Sequence, residues 1–262
     1  MKIAFIGAGN MSEAIVSGLL KKGVFKAPDI TVSDPLLERR NHMEVTYHVQ
    51  VRDNNIDSVA EADVVILAVK PQVFPSIWDN LKQNVSNKLI ISIMAGITSE
   101  TIASGTDIRV IRVMPNTPSL VGRGASGIAK GLSSTEEDMK TAEKIMQSVG
   151  ISVRVEENQL HAVTALSGSG PAYLFYLMEA MIKTAVDLGL DNDTARLLCT
   201  ETVGGAADLL ALSKDDPEDL RQRVTSKGGT TAAAIQSFDD DSLKSVIAKA
   251  MSQAFERSKE LS

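Results

Sequence analysis

The sequence predicts an N-terminal α/β domain, built on a mostly parallel and doubly wound sheet, followed by an all-α C-terminal domain. Short β-branched runs alternate with helix-periodic segments over residues 1–158, which is typical of parallel strands with helices on both faces. Over residues 159–262 this strand pattern is lost and long helical patterns replace it. A chain of 262 residues with 44% hydrophobic content is long enough for both domains to bury cores.

The elements of the first domain can be placed by their hydrophobic patterns. Six runs are predicted as buried strands, in the order KIAFIGA, ITVSD, DVVILAVK, KLIISIMA, IRVIRVMP and ISVRVEE. A helix is predicted between the first two, with inward positions at Met11, Ala14, Ile15, Gly18 and Leu19. Gly23 suits the turn that ends this helix. The chain therefore opens with a β-α-β unit.

The second domain begins with a long helix, PAYLFYLMEAMIKTAVDLGL, with Pro171 in its first turn and Gly189 at its end. The helix is apolar nearly all round, so other elements must cover it on more than one side. We expect it to be shared across a dimer interface; the alternative is a central helix in a bundle. Gly204 and Gly205 interrupt a later helical pattern, which predicts close helix packing or, alternatively, the approach of a ligand.

Composition excludes several classes of partner. The net charge is −6 and no Lys/Arg block exceeds two residues, so we expect no nucleic acid and no anionic membrane. The single cysteine and three histidines lack the spacing of a zinc site, and no metal is expected. Neither a signal segment nor an apolar run of about 18 residues is present, which favours the cytoplasm.

A glycine-rich turn follows the first predicted strand. Gly7 and Gly9 occupy the first two positions of a G-x-G-x-x-G motif, and Ser12 stands in the third, where a small residue suffices for helix–strand packing. The context of strand, turn and helix predicts a dinucleotide whose phosphates lie at the helix N-terminus. The first domain is therefore predicted to be a Rossmann domain.

The end of the second strand, VSDPLLERR, is expected to contact the adenosine ribose. Ser33, Arg39 and Arg40 favour the 2′-phosphate of NADPH, although the arginines could equally form a solvated helix face. Asp34 would repel that phosphate if its side chain faced the pocket. NADPH is thus predicted, with NADH as the alternative.

Further candidates follow the later strands, at the carboxyl edge where such sheets bind ligands. Lys70 and Pro71 end one strand and are expected beneath the cofactor phosphates. Two more strands place small or polar residues on the same rim, at Ala95, Gly96, Pro115 and Asn116. An ordinary strand-ending turn is the alternative for each of these four.

A second anion site is predicted at SKGGTT, residues 226–231, where a glycine turn leads into a helix. Amide groups at a helix start bind anions, and we expect those of Gly228, Gly229 and Thr230 to do so. Because the N-terminal loop accounts for the nucleotide phosphates, the anion expected here is a second and different one.

Four stretches together, FIGAGNM, ILAVKPQ, LSGSGPAY and TSKGGTT, resemble the pyrroline-5-carboxylate reductases, in order and from end to end of the chain. The resemblance implies a Rossmann domain and a helical domain that forms at least a homodimer through its helices, with dimers able to assemble into rings. It also implies reduction of the cyclic imino acid L-1-pyrroline-5-carboxylate to L-proline by NAD(P)H, the last step of proline biosynthesis.

The resemblance also carries over site residues. The implied substrate-binding residues are Ser226, Lys227, Gly228, Gly229, Thr230 and Thr231. Thr231 is implied as catalytic, because its hydroxyl would meet the ring nitrogen. The cofactor residues, completed by the rim positions, are Gly7, Ala8, Gly9, Asn10, Met11, Ser12, Ser33, Asn55, Ala68, Val69, Lys70, Pro71, Ala95 and Gly96. Without the family, Asn55 in DNNIDS would be read as part of a loop. Lys214 stands where some relatives have an acid, so that position is not carried over.

Two other functions remain open from the residues alone. A 3-hydroxyacid dehydrogenase-like reductase would need a lysine in the first turns of the long helix, and the first one here is Lys183. A nucleotide-binding protein without catalysis is the second alternative. His161 and Cys199 are expected to be structural rather than catalytic, and Lys70 is expected to position the cofactor rather than donate a proton.

Overall fold

A computed structural model describes residues 1–261 and divides the chain into two compact units. The first contains residues 1–171 and the chain from Gln253 onward, and the second is Ala172–Ser252. The boundary after residue 158 stays a prediction, since compactness alone does not show where a domain folds independently.

The first unit is built on an eight-stranded sheet in the order β3-β2-β1-β4-β5-β6-β7-β8. Strands β1 to β6 are parallel, β7 runs antiparallel to β6, and β8 is parallel to β7. The strands are β1 Ile3–Ile6, β2 Ile30–Ser33, β3 Gln50–Arg52, β4 Val64–Leu67, β5 Leu89–Ser92, β6 Arg109–Met114, β7 Gly124–Lys130 and β8 Gly150–Arg154. The predicted doubly wound α/β class is confirmed.

Helices connect these strands and form the second unit. The α-helices are α1 Asn10–Lys21, α2 Leu37–Tyr47, α3 Asn55–Val59, α4 Phe74–Leu81, α5 Ser99–Ala103, α6 Glu136–Met146, α7 Leu160–Val163, α8 Gly170–Asp187, α9 Asn192–Leu212, α10 Pro217–Arg223, α11 Thr230–Asp240 and α12 Leu243–Glu260. Single 3₁₀ turns lie at Ala27–Asp29, Lys82–Asn84, Thr117–Val121 and Glu157–Gln159, and a π-helix lies at Thr164–Gly168. In the described part of the chain, none of the helices is long and apolar enough to cross a membrane.

Successive residues of each central strand face opposite layers of helices. Phe5 belongs to a buried cluster with Ile15 of α1, whereas Ile6 belongs to a second cluster with Trp78 of α4. Because both faces are covered, the central strands are mostly apolar without alternation, which explains why β1, β2, β4, β5 and β6 are predictable from the sequence. The burial predicted for ISVRVEE is wrong, because β8 is the edge strand and its Ile151 and Val153 are 65% and 55% exposed.

Three local features differ from the sequence-based predictions. Strands β3 and β7 are not among the six predicted strands. Strand β3 has only three residues, and β7 contains two glycines and a serine, which lower strand propensity. In β7 the small residues are needed, since a Cβ on Gly127 would lie 2.8 Å from a methyl carbon of Val163. The loop interpretation of DNNIDS is wrong. Asn54 caps α3, accepting a hydrogen bond from the Ile56 amide at 2.8 Å.

The second unit leaves most of its apolar surface exposed. Helix α8 has no buried residue, and Phe175 and Tyr176 are 60% and 77% exposed. The bundle alternative for α8 is therefore wrong for a single chain, which does not cover this helix. A Cβ on Gly204 or Gly205 would meet nothing within 4 Å, so the close packing predicted for them is absent from the single chain.

Candidate active site

The turn after β1 has the geometry of a phosphate-binding loop. Gly7 has φ +104°, and a Cβ there would lie 2.7 Å from the carbonyl oxygen of Ala68, so this position requires glycine. Gly9 precedes α1, and its Cα faces open space. The first amide with an intrahelical acceptor is that of Glu13, which donates to Gly9 at 3.0 Å. The amides of Asn10, Met11 and Ser12 in the first turn lack a helical acceptor and can hold an anion, so the loop fits a dinucleotide.

Ser12 replaces the third glycine of the motif and stabilises the same turn. Its side chain is fully buried, and its hydroxyl donates a hydrogen bond to the carbonyl of Gly7 at 2.6 Å. The small side chain thus packs between α1 and the sheet, as the sequence predicted, while also fixing the loop.

The end of β4 lies beside this loop. The Ala68 amide donates to the carbonyl of Ile6 at 2.9 Å, which continues the sheet ladder to the edge of Gly7. Ala68 and Val69 are partly buried, and Lys70 is exposed. The carbonyl of Lys70 accepts the amide of Val73 at 2.9 Å, which turns the chain into α4. The structure therefore brings together the two predicted cofactor segments, 7–12 and 68–71.

The rim beyond β5 and β6 is more closely tied into the fold. Gly96 is buried, and a Cβ there would collide with the carbonyl of Leu261, which occupies the adjacent space. Asn116 accepts the Ala125 amide at 2.9 Å and donates to the carbonyl of Ser167 at 3.1 Å. Both functional groups of the Asn116 side chain are thus used in fixing the turn after β6.

Two residues predicted for the adenosine end are in direct contact. The hydroxyl of Ser33 lies 2.7 Å from Oδ1 of Asn55 and 3.3 Å from the carbonyl of Phe5, and Ser33 is fully buried. Asn55 was predictable only through the family. The contact shows why its spacing from Ser33 carries no local signal: α2 and β3 separate the two residues in sequence.

Glu13 is a site-adjacent residue that the sequence did not reveal. Its carboxylate accepts hydrogen bonds from Arg39 at 2.7 Å, His42 at 2.7 Å and Tyr47 at 3.1 Å. Burial opposes the charged carboxylate, but these donors outweigh it, so the pKa of Glu13 is lowered. Nε of Arg39 also donates to the carbonyl of Ala8 at 2.8 Å. The guanidinium of Arg39 is therefore held by Glu13 and the phosphate loop and does not lie on a solvated helix face.

The second predicted anion site lies at the N-terminus of α11, within the helical unit. Gly228 has φ +74°, which bends the chain so that the Gly229 amide donates to the carbonyl of Ser226 at 3.0 Å. The predicted donor set is therefore wrong at Gly229, whose N–H is already bonded. The helical amides that lack a backbone acceptor are those of Thr230, Thr231 and Ala232.

His161 has a structural environment. Its Nδ1 lies 3.0 Å from the hydroxyl of Ser258, and its ring packs edge-on against Phe255. Burial lowers the pKa of His161, and the positive charges of Arg112 and Lys259 lower it further. Cys199 also has a structural environment, since it is buried and its Sγ lies 4.0 Å from the carbonyl oxygen of Met178.

This environment of His161 predicts a pH dependence of stability. In the unfolded chain the imidazole gains a proton near its usual pKa of about 6.5, whereas the folded protein resists protonation until the pH is lower. The free energy of unfolding should therefore fall as the pH drops below about 6.5, and the His161→Asn variant should lose that slope. Chemical denaturation across this pH range measures it. An identical slope in the variant and the wild type would contradict the assignment.

The chain is similar to known proteins over almost its whole length. The family model described as pyrroline-5-carboxylate reductase dimerisation matches residues 157–261, and that described as NADP oxidoreductase coenzyme F420-dependent matches residues 2–96. A pyrroline-5-carboxylate reductase of Vibrio alginolyticus is 42% identical to this chain, and the alignment covers 99% of this chain and 97% of the relative. The chain belongs to the pyrroline-5-carboxylate reductase family. One from Methanosarcina acetivorans is also 42% identical, with the same shares covered.

Solved structures of pyrroline-5-carboxylate reductases share the fold. The enzyme of Coxiella burnetii is 39% identical with a TM-score of 0.93, covering 100% of this chain and 98% of its own. That of Plasmodium falciparum, solved with NADP bound, is 28% identical with a TM-score of 0.91 and the same coverage. The resemblance predicted from four short stretches is thus confirmed from end to end.

Proposed function

We propose that the chain reduces L-1-pyrroline-5-carboxylate to L-proline with NADPH, the last step of proline biosynthesis. The observation that carries this proposal is a pair of separate anion sites in a member of this family. One is the loop at Gly7, which fits a dinucleotide, and the other is the start of α11, which has three amides without a helical acceptor. A reductase of a small carboxylated imine needs both.

The proposed cofactor site consists of the glycine loop, the end of β4 and the residues expected at the adenosine end. When bound, NADPH supplies the hydride that is added to the imine carbon. The amides at the start of α1 hold its phosphates without a charged side chain, and Ala68 and Val69 form an apolar edge beside them. The full proposed set is Gly7, Ala8, Gly9, Asn10, Met11, Ser12, Ser33, Asn55, Ala68, Val69, Lys70, Pro71, Ala95 and Gly96.

The proposed substrate site is the segment Ser226–Thr231. The carboxylate accepts hydrogen bonds from free amides of this segment, where the positive end of the α11 dipole adds a favourable field. The Thr231 hydroxyl lies on the first turn of α11 and hydrogen-bonds the ring nitrogen. It orients the imine and stabilises the product amine. A protonated imine is already electrophilic, so holding the two reactants in line provides most of the rate acceleration.

An assay with purified protein tests this function. Loss of the reduced nicotinamide absorbance should require both NADPH and pyrroline-5-carboxylate. Oxidation of 3-hydroxy acids with NADP should stay at background, because the first turns of α8 contain no lysine to serve an alkoxide. Absence of NADPH consumption with the imine would refute the proposal. Turnover of the hydroxy acid would favour the alternative reductase.

We also propose that the chain forms at least a homodimer through its helical unit, with rings of dimers as the larger assembly. The match to the dimerisation family supports self-association. The exposed apolar faces of α8 and α9, including Phe175 and Leu197 at 60% and 62% exposure, form the surface that a second copy would cover. The cytoplasm stays the predicted compartment.

Phe175→Glu is expected to convert the assembly into smaller species. A buried charge without a partner at the centre of an apolar interface costs several kcal/mol, so the dimer should dissociate at micromolar concentration. Light scattering coupled to gel filtration gives the mass. Leu132→Glu is the matched control, since Leu132 is 98% exposed but lies outside the helical unit. An unchanged mass for Phe175→Glu would contradict the interface.

A further inference from the structure

The side chain of Asp34, the residue after β2, faces the glycine loop. Its Oδ2 accepts the amide of Ala8 at 2.9 Å, and its Oδ1 accepts the amide of Leu36 at 2.9 Å. Asp34 is only partly buried. The carboxylate therefore lies between the end of β2 and the phosphate loop, the place where a Rossmann site meets the adenosine ribose.

The charge of this carboxylate is not neutralised by a neighbouring side chain. Over residues 1–261, no lysine, arginine or histidine forms a salt bridge with Asp34. Arg39 is held by Glu13 at 2.7 Å and by the carbonyl of Ala8. Arg40 donates to the main-chain carbonyls of Asp34 at 2.6 Å and Pro35 at 2.9 Å. Backbone amides alone bind the carboxylate oxygens.

The other candidate for this position is turned inward. Ser33 is fully buried, and its hydroxyl is bonded to Asn55 at 2.7 Å. The acid therefore presents the exposed polar group at the end of β2. A carboxylate accepts hydrogen bonds from ribose hydroxyls and repels a 2′-phosphate. Arg40 has no carboxylate partner among the described residues, and its positive charge attracts that phosphate.

We propose that Asp34 sets the cofactor specificity of this chain, so that NADH serves as a reductant beside NADPH and the advantage of NADPH stays small. The proposal rests on the function proposed above for the same site. Asp34 binds the cofactor that has a free 2′-hydroxyl and weakens the binding of the one that carries a 2′-phosphate. Arg40 offsets part of this repulsion.

Calorimetric binding of two fragments without nicotinamide tests the role of Asp34 independently of turnover. ADP-ribose carries a free 2′-hydroxyl, and 2′-phospho-ADP-ribose carries the phosphate. Both should bind the wild-type protein with affinities within about 10-fold of each other. Asp34→Asn removes the charge while keeping an oxygen for the Ala8 amide, and it should raise the preference for the phosphorylated fragment by about 10-fold, the size of one partly screened charge contact.

Two further variants complete the test. Glu44→Gln, at an exposed position on α2, changes the net charge equally and should leave the preference within about 2-fold. Asp34→Ser also removes the charge and should shift the preference in the same direction as Asp34→Asn. A wild-type protein that binds only the phosphorylated fragment would overturn the proposal. So would an Asp34→Asn variant in which both affinities change alike, because Asp34 would then only hold the loop.

Steady-state kinetics with pyrroline-5-carboxylate separates this inference from the proposed function. The ratio of kcat/KM for NADPH to that for NADH should rise by about 10-fold in Asp34→Asn, mainly through KM. If neither cofactor is consumed, the proposed function fails, and the fragment binding still decides the role of Asp34. If both are consumed and the ratio stays constant among the variants, the specificity role fails while the function stands.

Discussion

Gly7→Ala is expected to destabilise the first unit and to weaken cofactor binding strongly. The new Cβ would lie 2.7 Å from the carbonyl oxygen of Ala68, and φ of +104° is unfavourable for any residue with a side chain. Each effect alone costs about 1–3 kcal/mol, so a loss of at least about 2 kcal/mol in the free energy of unfolding is expected. The displaced loop would no longer present its amides to the phosphates, and NADPH affinity should fall more than about 100-fold.

Thermal unfolding and nicotinamide fluorescence measure these two effects. Gly9→Ala provides the comparison for stability, because Gly9 has φ −71° and a Cβ there meets nothing within 4 Å. Its melting temperature should stay close to that of the wild type, while that of Gly7→Ala falls clearly. A Gly7→Ala protein with wild-type stability and wild-type NADPH affinity would show that the turn tolerates a side chain and does not hold the cofactor.

Thr231→Ala is expected to lower kcat/KM by about 10- to 1000-fold. The hydroxyl at the start of α11 is the proposed partner of the ring nitrogen, and one such hydrogen bond at a reacting centre is worth roughly 1.5–4 kcal/mol. Hydride addition gives the nitrogen of the protonated imine a lone pair that can accept a hydrogen bond from the Thr231 hydroxyl, so most of the loss should appear in kcat rather than in KM.

Two variants control for effects on the helix. Thr231→Ser keeps the hydroxyl and should recover activity to within about 10-fold of the wild type. Ser237→Ala removes an exposed hydroxyl from the same helix and should leave kcat/KM unchanged. Equal activity of Thr231→Ala and wild type would remove Thr231 from the mechanism and leave positioning to the backbone amides.

The parts of this molecule that the sequence predicts well are those fixed by local physical chemistry. A strand that is buried on both faces must be apolar throughout, as in residues Val64–Leu67, so the central sheet was visible at once. The two glycine-bearing turns were visible for a related reason. In each turn a glycine with positive φ, Gly7 or Gly228, precedes the free amides at the start of a helix. Few residues other than glycine adopt this conformation readily, so the glycines mark both turns in the sequence.

The features that the sequence did not reveal depend on contacts between distant residues. Glu13 holds Arg39 and thereby the carbonyl of Ala8, although 26 residues separate the two side chains. Strand β7 carries glycines because Val163 packs onto Gly127, and this neighbour cannot be read from the strand itself. The availability of each amide at SKGGTT likewise depended on the fold, since the turn consumes the amide of Gly229. The sequence pattern thus locates the sites, while the folded structure determines which of their hydrogen-bonding groups remain free.

Transfer of deuterium to pyrroline-5-carboxylate from NADPH that carries deuterium at both C4 positions tests the proposed function most directly. The product is separated by chiral chromatography and its mass and label position are determined. The account predicts L-proline carrying one deuterium on the ring carbon that belonged to the imine, with label formation lost in Gly7→Ala and strongly reduced in Thr231→Ala. Unlabelled proline, or no proline while NADPH remains intact, would contradict it.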